Sequence, residues 1–349
     1  MVHICSTAPR FIEGNDREQD KLYLGIHEEP TISQMGKQAE IAEQNGRSAQ
    51  KIMLTKMILD YVKISKPSII FLLDFVAISA LLVSYYSNVA TSLSPPMILI
   101  GSVLLAGTLA SAGAAAINAY IDRDIDVLML RTSKRPVPMG SIPPKHALYF
   151  GIASLSLAFV TATLLLNLVA TFMIMLGAFI YIFVYSVWLK RRTPWNIVIG
   201  GSAGSAAALA GWTAVTPQLE FMLPAVLMGV LVFLWTPSHF WSLAILTNRD
   251  YKAAGVPMLP VVVGESRAIK YVVLNTLLLI PFSLSFFFLG MQGLVYLFVA
   301  SSTGALLLVT NIRMLKERTH AAAWSAFKYS SPYLTFIFFG MVIDSVLRF

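Results

Sequence analysis

Residues 96–126 determine the fold and mark the chemistry; they read PMILIGSVLLAGTLASAGAAAINAYIDRDID. More than twenty consecutive positions carry no charge, which is the length that an α-helix needs to cross a bilayer. The run then ends in three aspartates, Asp122, Asp124 and Asp126. The stretch therefore predicts a membrane-spanning helix that brings carboxylates to one surface of the membrane.

The polar residues at the end of this helix are spaced to share one face. Asn118, Asp122 and Asp126 lie four residues apart, and four residues turn through about 400°, so successive side chains drift by only about 40°. Asp124 lies about half a turn from Asp122 and points elsewhere. Carboxylates held side by side repel each other unless a cation lies between them. A Mg²⁺ ion that shares its ligands between a few carboxylates and substrate phosphates would supply that cation.

The composition of the whole chain is typical of a membrane protein. Of 349 residues, 56% are hydrophobic and only 13% are charged, and apolar runs longer than 18 residues recur. We predict an all-α integral membrane protein with nine transmembrane helices. The predicted spans are 68–88, 96–118, 147–169, 170–189, 196–216, 221–246, 269–289, 291–310 and 331–347.

The basic residues in the loops predict the orientation. With nine spans, 18 of the 19 Lys and Arg residues from Asp60 onward fall on one side, and Arg348 is the exception. That side is expected to be the cytoplasm, or the matrix of a mitochondrion. The net charge of +8 is accounted for by this asymmetry, so no nucleic-acid partner is predicted. We expect a cell membrane rather than a mitochondrial inner membrane, because residues 1–60 lack the acid-poor composition of a transit peptide.

Residues 1–60 differ in composition from residues 61–349. Eight acidic and seven basic side chains precede Asp60, and no apolar run occurs there. We predict a polar, partly disordered cytoplasmic tail at 1–60, followed by the nine-helix transmembrane domain at 61–349. Cys5 is the only cysteine, which excludes intramolecular disulfides and Cys-based metal sites.

A second polar segment is predicted on the same side of the membrane, between the sixth and seventh spans. His239 lies well inside an apolar segment, where an ionisable side chain is a functional candidate; a hydrogen-bonded interior histidine is the alternative. Asp250 and Lys252 follow at the membrane edge, and Gly255 and Pro257 end any helix there. Two polar segments that face one compartment predict a clamp for one multiply charged ligand.

Two further acids lie inside predicted spans. Asp74 in the first span is expected either to bind a neighbouring helix or to line a cavity, and the sequence leaves both open. Asp344 in the last span is expected to be solvated near the opposite surface.

These motifs resemble those of the UbiA superfamily of membrane prenyltransferases, over about residues 60–349. The first Asp-rich motif of the family is matched by Asn118, Asp122 and Asp126, and the segment Arg131-Thr132-Ser133-Lys134-Arg135-Pro136 resembles its continuation. His239-Phe240-Trp241, Asp250-Tyr251 and the stretch at 254–260, AGVPMLP, resemble the heme-modifying branch of the superfamily.

The resemblance implies a UbiA-type helical bundle and a transfer reaction. The donor would be farnesyl diphosphate and the acceptor a vinyl group of protoheme IX (heme b), which after hydration gives heme O for heme-copper oxidase assembly. Asn118, Asp122 and Asp126 would bind Mg²⁺, and these three with Asp250 would be the catalytic residues. The lipid bilayer surrounds the site, and a heme A synthase is a candidate protein partner. The implied substrate-binding residues are Arg131, Lys134, Arg135, His239, Tyr251 and Lys252.

Two other functions remain open from the residues alone. The first is a related prenyltransferase with an aromatic or lipid acceptor, against which the segment 239–260 argues. The second is a transporter that uses Asp74 and Asp122 as ion sites. Transporters commonly place such sites near the midplane within repeated halves, whereas the acids here gather at one rim and the sequence contains no repeat.

Overall fold

The computed structural model describes residues 32–88 and 97–348. Within these ranges, nine helices are long and apolar enough to cross a membrane, which confirms the predicted all-α multi-pass fold. They are α1 (Pro67–Asn88), α2 (Met97–Ile121), α3 (Pro144–Leu165), α4 (Leu168–Leu189), α5 (Asn196–Val215), α6 (Met222–Leu246), α7 (Glu265–Phe288), α8 (Leu294–Glu317) and α9 (His320–Arg348).

The largest differences from the predicted spans are at the ends of α8 and α9. The α8 helix continues to Glu317 and α9 begins at His320, whereas the sequence placed these boundaries at 310 and 331. Hydropathy marks only the apolar part of a helix, and the backbone hydrogen bonds continue beyond it. The turn between the helices is fixed by Arg318, whose left-handed backbone (φ 52°) ends α8.

A polar side chain separates α3 from α4, where the sequence shows only a short polar step. The Asn167 Oδ1 atom accepts a hydrogen bond from Ala170 N at 2.9 Å and so caps α4. Its Nδ2 atom donates to the carbonyl oxygen of Thr213 at 2.7 Å. Asn167 therefore both begins α4 and joins it to α5.

The second half of α4, Ile180–Leu189, is a π-helix. The Ser186 hydroxyl donates to Tyr181 O at 2.8 Å, and Lys190 N donates to Tyr185 O at 2.9 Å. Such segments are rare and often lie at functional sites, because the wider turn redirects the side chains. Here it determines where Tyr181, Tyr185 and Lys190 point.

Glycines allow α2 and α3 to approach closely. A Cβ atom at Gly113 would lie 2.7 Å from Gly151 O, and one at Gly151 would lie 2.8 Å from Gly113 O. Small residues at a crossing permit this backbone contact in a membrane, where packing rather than water exclusion holds helices together.

Asp344 is buried, which corrects the expectation that it is solvated. Its side chain accepts hydrogen bonds from Gly293 N and from Tyr296 N at 3.4 Å. The carboxylate therefore satisfies free N–H groups at the beginning of α8 and interacts favourably with the positive end of the helix.

The chain divides after Lys56 into two units. The described part of the first unit, residues 32–56, belongs to a helix that spans Ile32–Ile64. In the second unit, Ile64 and Tyr61 pack with Ala116 and Ala147. Residues 1–31 lie outside the described residues, and the division into a tail at 1–60 and a domain at 61–349 stays a prediction.

Candidate active site

The Asp-rich motif keeps its helical spacing although α2 ends at Ile121. Asp122 N donates to Asn118 O at 2.9 Å and Asp126 N donates to Asp122 O at 2.8 Å. Asn118, Asp122 and Asp126 are each no more than 2% exposed, whereas the side chain of Asp124 is 60% exposed. The structure therefore places the three expected ligands in the interior and Asp124 outside, as their spacing predicted.

Asn118 and Asp122 bind each other and two lysines. Asn118 Nδ2 donates to Asp122 Oδ2 at 2.7 Å, while Asn118 Oδ1 accepts from Lys66 Nζ at 2.6 Å. Asp122 Oδ2 also forms an ion pair with Lys190 Nζ. The second oxygen, Asp122 Oδ1, is buried and has no hydrogen-bond partner, which is costly for a carboxylate.

Asp126 connects the motif to the loop that follows it. Its Oδ2 atom pairs with Arg135 Nη1 at 2.9 Å, and its carbonyl oxygen accepts from the Thr132 hydroxyl at 2.8 Å. These contacts fold residues 127–135 back over the motif.

The oxygen donors of the motif fit a hard divalent cation. In the described part of the chain, no group of three or more His, Cys, Asp or Glu side chains is placed to hold a metal. The motif instead combines two carboxylates with the Asn118 amide oxygen, and oxygen is the ligand that Mg²⁺ prefers. The unpartnered Oδ1 atom of Asp122 leaves one buried oxygen free for such an ion.

Lys66 lies in the site, although the sequence shows it only as a basic residue before the first span. Besides Asn118, its Nζ atom contacts Tyr181 Oη at 3.0 Å. Burial, together with the positive charge of Arg135, lowers the pKa of Lys66 to about 8, and the carboxylates of Asp122 and Asp126 partly oppose this shift. Its backbone is left-handed (φ 57°), which costs a non-glycine residue energy and is typical of functional positions.

Lys190 was likewise missed, because the sequence shows it only as the first of three basic residues after the fourth span. Its neighbour Arg191 binds Asp124 through two hydrogen bonds of 2.7 and 2.6 Å and Ile121 O at 3.0 Å. Hydrogen bonding to Arg191 lowers the pKa of Asp124 to about 2. The Asp124–Arg191 pair therefore ties the end of α4, with Lys190, to the end of α2.

A cavity of about 560 Å³ begins at this cluster and continues between the helices. Its walls come from α1, α2, α4, α5, α6 and α9 and are mostly apolar. Four cationic side chains and the carboxylate of Asp126 line one end, and Asp122 is fully buried. The cations are Lys66, Arg131, Arg135 and Lys190. This end favours an anion, and the remainder favours an apolar chain or ring.

His239 lines the same cavity, and its hydrogen bond determines its tautomer. The Ser330 hydroxyl donates to Phe327 O at 2.7 Å and lies 2.6 Å from His239 Nδ1. Since a hydroxyl has one proton, Ser330 must accept from a protonated Nδ1. A neutral His239 then carries its lone pair on Nε2. The ring is stacked on Trp235, with centroids 4.5 Å apart, and lies 4.7 Å from Phe327.

The second polar segment meets the first at Asp250. The carboxylate accepts from the backbone N–H groups of Leu130 and Arg131, both at 3.3 Å. Tyr251 is buried beside the same loop and lines the cavity. Burial raises the pKa of Tyr251, while the charges of Arg131 and Arg135 oppose the shift.

The predicted substrate-binding residues do not all reach the cavity. Arg131, Arg135, His239 and Tyr251 line it, as described above, whereas Lys134 and Lys252 are exposed and are not among its lining residues. For Asp74, both possibilities raised by the sequence hold. It lines the cavity, and its Oδ2 atom accepts from the Thr108 hydroxyl at 2.6 Å.

The helical membrane bundle has a cation-lined site at the end of a mostly apolar cavity, an arrangement that suits an amphiphilic anion. Residues 76–339 match the UbiA prenyltransferase family, and the chain belongs to that family; it is a membrane prenyltransferase.

The chain is similar to known members in sequence and in fold. Protoheme IX farnesyltransferase 1 of Cenarchaeum symbiosum (strain A) is 46% identical over 293 residues, which cover 83% of this chain and 97% of that protein. A structure of digeranylgeranylglyceryl phosphate synthase has a TM-score of 0.67 at 18% identity, covering 84% of this chain and 99% of that one. A UbiA homolog from Archaeoglobus fulgidus bound to GPP and Mg²⁺ has a TM-score of 0.56 at 19% identity, covering 81% and 99% respectively.

Proposed function

We propose that this protein transfers the farnesyl group of farnesyl diphosphate to a vinyl group of protoheme IX, with hydration, to give heme O. The observation that carries the proposal is a single cavity that joins the cation cluster to an apolar chamber with His239 in its wall. The similarity to a protein named protoheme IX farnesyltransferase supports both the donor and the acceptor.

The diphosphate of the donor binds at the cationic end of the cavity. Lys66 and Lys190 supply point charges, and Arg131 and Arg135 supply planar guanidinium groups that suit bidentate contacts to phosphate oxygens. All four line the cavity. The summed positive charge of these four side chains exceeds the negative charge of Asp122 and Asp126, so the site favours a trianionic head group.

Asn118, Asp122 and Asp126 bind Mg²⁺ in this proposal. Their oxygen donors and the unpartnered Asp122 Oδ1 atom support it, as does the binding of GPP and Mg²⁺ to the UbiA homolog from Archaeoglobus fulgidus. When bound, Mg²⁺ neutralises the charge that develops on the departing diphosphate.

The chain's own residues favour ionisation of the donor and control what attacks it. The bond between C1 of the farnesyl group and the diphosphate oxygen breaks, and its electron pair leaves with the diphosphate, which the four cations hold. Aromatic faces in the cavity wall, Tyr181, Tyr185 and Trp235, stabilise the allylic cation. The apolar wall limits early capture by water.

The vinyl group of the heme then attacks C1 with its π electrons and forms the carbon–carbon bond. The cation moves to the vinyl carbon next to the porphyrin, where a water molecule adds its oxygen and releases a proton. His239 holds the acceptor during these steps. Its Nε2 lone pair binds the heme iron, since Nδ1 is occupied by Ser330 at 2.6 Å.

The remaining predicted residues act from outside the cavity. Asp250 positions the loop at 130–131 through its two backbone contacts, and exposed Lys134 and Lys252 attract the anionic substrates to the rim. We place this rim in the cytoplasm, in a cell membrane with a cytoplasmic N-terminus. A heme A synthase is the protein partner that would take up the product.

The test is to incubate the purified protein with heme b, farnesyl diphosphate and Mg²⁺ and to measure the mass of the extracted hemes. A heme that has gained one farnesyl group and one water, and that is lost with EDTA, is the expected product. Unmodified heme from a protein that binds farnesyl diphosphate would redirect the search to aromatic or lipid acceptors. Failure to bind farnesyl diphosphate at all would refute the donor as well.

A further inference from the structure

We propose that Lys66, Lys190 and Arg135 bind the side-chain oxygens of the metal ligands while the metal is absent. When the metal and the diphosphate bind together, the three cations move from these oxygens to the diphosphate. This inference rests on the proposed function, and it makes metal binding and diphosphate binding dependent on each other. It assigns the three cations a second partner in addition to the phosphate oxygens.

Each proposed metal ligand already holds one side-chain cation. Lys66 Nζ binds Asn118 Oδ1 at 2.6 Å, Lys190 Nζ binds Asp122 Oδ2, and Arg135 Nη1 binds Asp126 Oδ2 at 2.9 Å. A metal ion can use these oxygens only if the cations move away or share them. The free oxygen, Asp122 Oδ1, leaves one point at which the metal can begin to bind.

The charges explain why the metal alone should bind weakly. Three cations and two carboxylates leave this cluster with a net positive charge, and the burial of Asp122, Asp126 and Lys190 reduces its screening by water. A divalent ion brought to the cluster meets this charge, and apart from Asp122 Oδ1 it finds only ligand oxygens that already have a cation as partner. The structure therefore predicts weak binding of Mg²⁺ by itself.

A diphosphate reverses both effects. Its oxygens give the three cations new partners, so they can leave Asn118, Asp122 and Asp126 without losing their neutralisation. The released ligands and the phosphate oxygens then bind the metal together, as Mg²⁺ commonly does. By linkage, whatever the diphosphate adds to metal affinity the metal adds to diphosphate affinity.

The two lysines are built to make this exchange. Their ammonium groups lie at the ends of flexible stems with three rotatable donors, so they can turn between neighbouring partners. Tyr181 Oη, 3.0 Å from Lys66 Nζ, keeps the Lys66 ammonium bound during the turn. Arg191, bound to Asp124 at 2.6–2.7 Å, fixes the backbone next to Lys190 while its side chain moves.

The experiment measures two affinities in one variant, Lys66→Met, in the full-length protein in detergent. Mn²⁺ replaces Mg²⁺ in a titration without phosphate, and free Mn²⁺ is measured by electron paramagnetic resonance. Pyrophosphate binding is measured separately by calorimetry in EDTA. Lys66→Met should bind Mn²⁺ more tightly, on the order of ten-fold, and pyrophosphate more weakly by a similar factor.

The opposite signs distinguish the exchange from simpler roles. If the lysine only binds phosphate, its removal would leave the Mn²⁺ affinity unchanged. If it only maintains structure, its removal would weaken the binding of both Mn²⁺ and pyrophosphate. Either result overturns the inference. Lys190→Met repeats the test if Lys66→Met does not fold, and unfolded protein is recognised by gel filtration. Lys145→Met is the matched control, because Lys145 is exposed and lies outside the cavity.

Binding measurements on the native protein distinguish a failure of this inference from a failure of the proposed function. If it binds no pyrophosphate even with Mn²⁺, the donor site itself is wrong and both fail. If it binds both ligands but the Mn²⁺ affinity of Lys66→Met and Lys190→Met does not rise, only the exchange is wrong.

Discussion

Ser330 contacts no substrate in the proposed mechanism, yet its removal should weaken heme binding through His239. The Ser330 hydroxyl donates to Phe327 O and accepts from His239 Nδ1 at 2.6 Å, which keeps the lone pair on Nε2. In Ser330→Ala this constraint is lost, so the proton can move to Nε2 and block iron binding. The buried Nδ1–H group would otherwise remain without a partner.

The expected loss of heme affinity in Ser330→Ala depends on which contacts the His239 ring retains. Loss of the hydrogen-bond partner of a metal-binding histidine costs 10–100-fold in affinity. The His239 ring keeps its stacking on Trp235 and its contact with the tilted Phe327 ring, with centroids 4.5 and 4.7 Å away, so its orientation is largely preserved. We therefore expect the lower end of that range, an increase of about ten-fold in the heme Kd, which corresponds to about 1.4 kcal/mol.

The assay is a titration of the detergent-purified protein with heme b, followed by the Soret absorbance. His239→Ala should abolish the spectral change of iron ligation, while Ser330→Ala should keep that spectrum at a higher Kd. Ser302→Ala is the matched control, because its exposed hydroxyl also donates to a carbonyl one turn earlier, Phe298 O at 2.8 Å, but contacts no histidine. Binding of farnesyl diphosphate should be unchanged in all three.

Two results would refute this reasoning. A heme spectrum that is identical in His239→Ala would remove His239 from the iron. A Ser330→Ala Kd within two-fold of the native value, with His239 still ligating, would show that the hydroxyl does not control the tautomer.

Three further predictions concern the Asp motif and the fold. Asp122→Ala should lose at least about a hundred-fold in heme O formation and still elute as folded protein; near-native turnover would disprove its metal role. Asp124→Ala should lose less heme O formation than Asp122→Ala. Since Arg191 lowers the pKa of Asp124 to about 2, the native carboxylate stays ionised and paired from pH 8 to pH 5. The small loss of stability in Asp124→Ala, relative to the native protein, should therefore be constant over that range and vanish only as the pH falls toward 2. Asn167→Ala should destabilise the protein by about 1 kcal/mol in thermal denaturation, whereas Asn88→Ala, at an exposed helix end, should not; equal melting temperatures would argue against the cap.

The sequence was sufficient for features that depend on spacing along one helix. Asn118, Asp122 and Asp126 are brought together by the geometry of a single helix and the helical turn that follows its end, so their shared face follows from the numbering alone. The spans follow similarly from apolar length. Their ends do not, because a helix such as α9 continues through polar residues, from His320, as long as its backbone hydrogen bonds are satisfied.

The sequence could not identify the cations that complete the site. Lys66 immediately precedes α1 and Lys190 immediately follows α4, so the two are distant along the chain, and each resembles an ordinary basic residue at the end of a span. Their position depends on a left-handed backbone at Lys66 (φ 57°) and on a π-helix at Ile180–Leu189. Neither irregularity has a signal in composition or hydropathy, so the tertiary structure was needed to distinguish them from exposed Lys134.

Asp250 connects the second polar segment to the loop that follows the Asp-rich motif. The family resemblance implies a catalytic role for Asp250, and that role stays a prediction. In the structure its carboxylate accepts from the N–H groups of Leu130 and Arg131, in the loop that carries the guanidinium groups of the rim. A carboxylate that binds two backbone donors fixes the loop more rigidly than a single side-chain pair, because it acts on the backbone itself. The second segment therefore contributes His239 and Tyr251 to the cavity and, through Asp250, the position of Arg131 at its mouth.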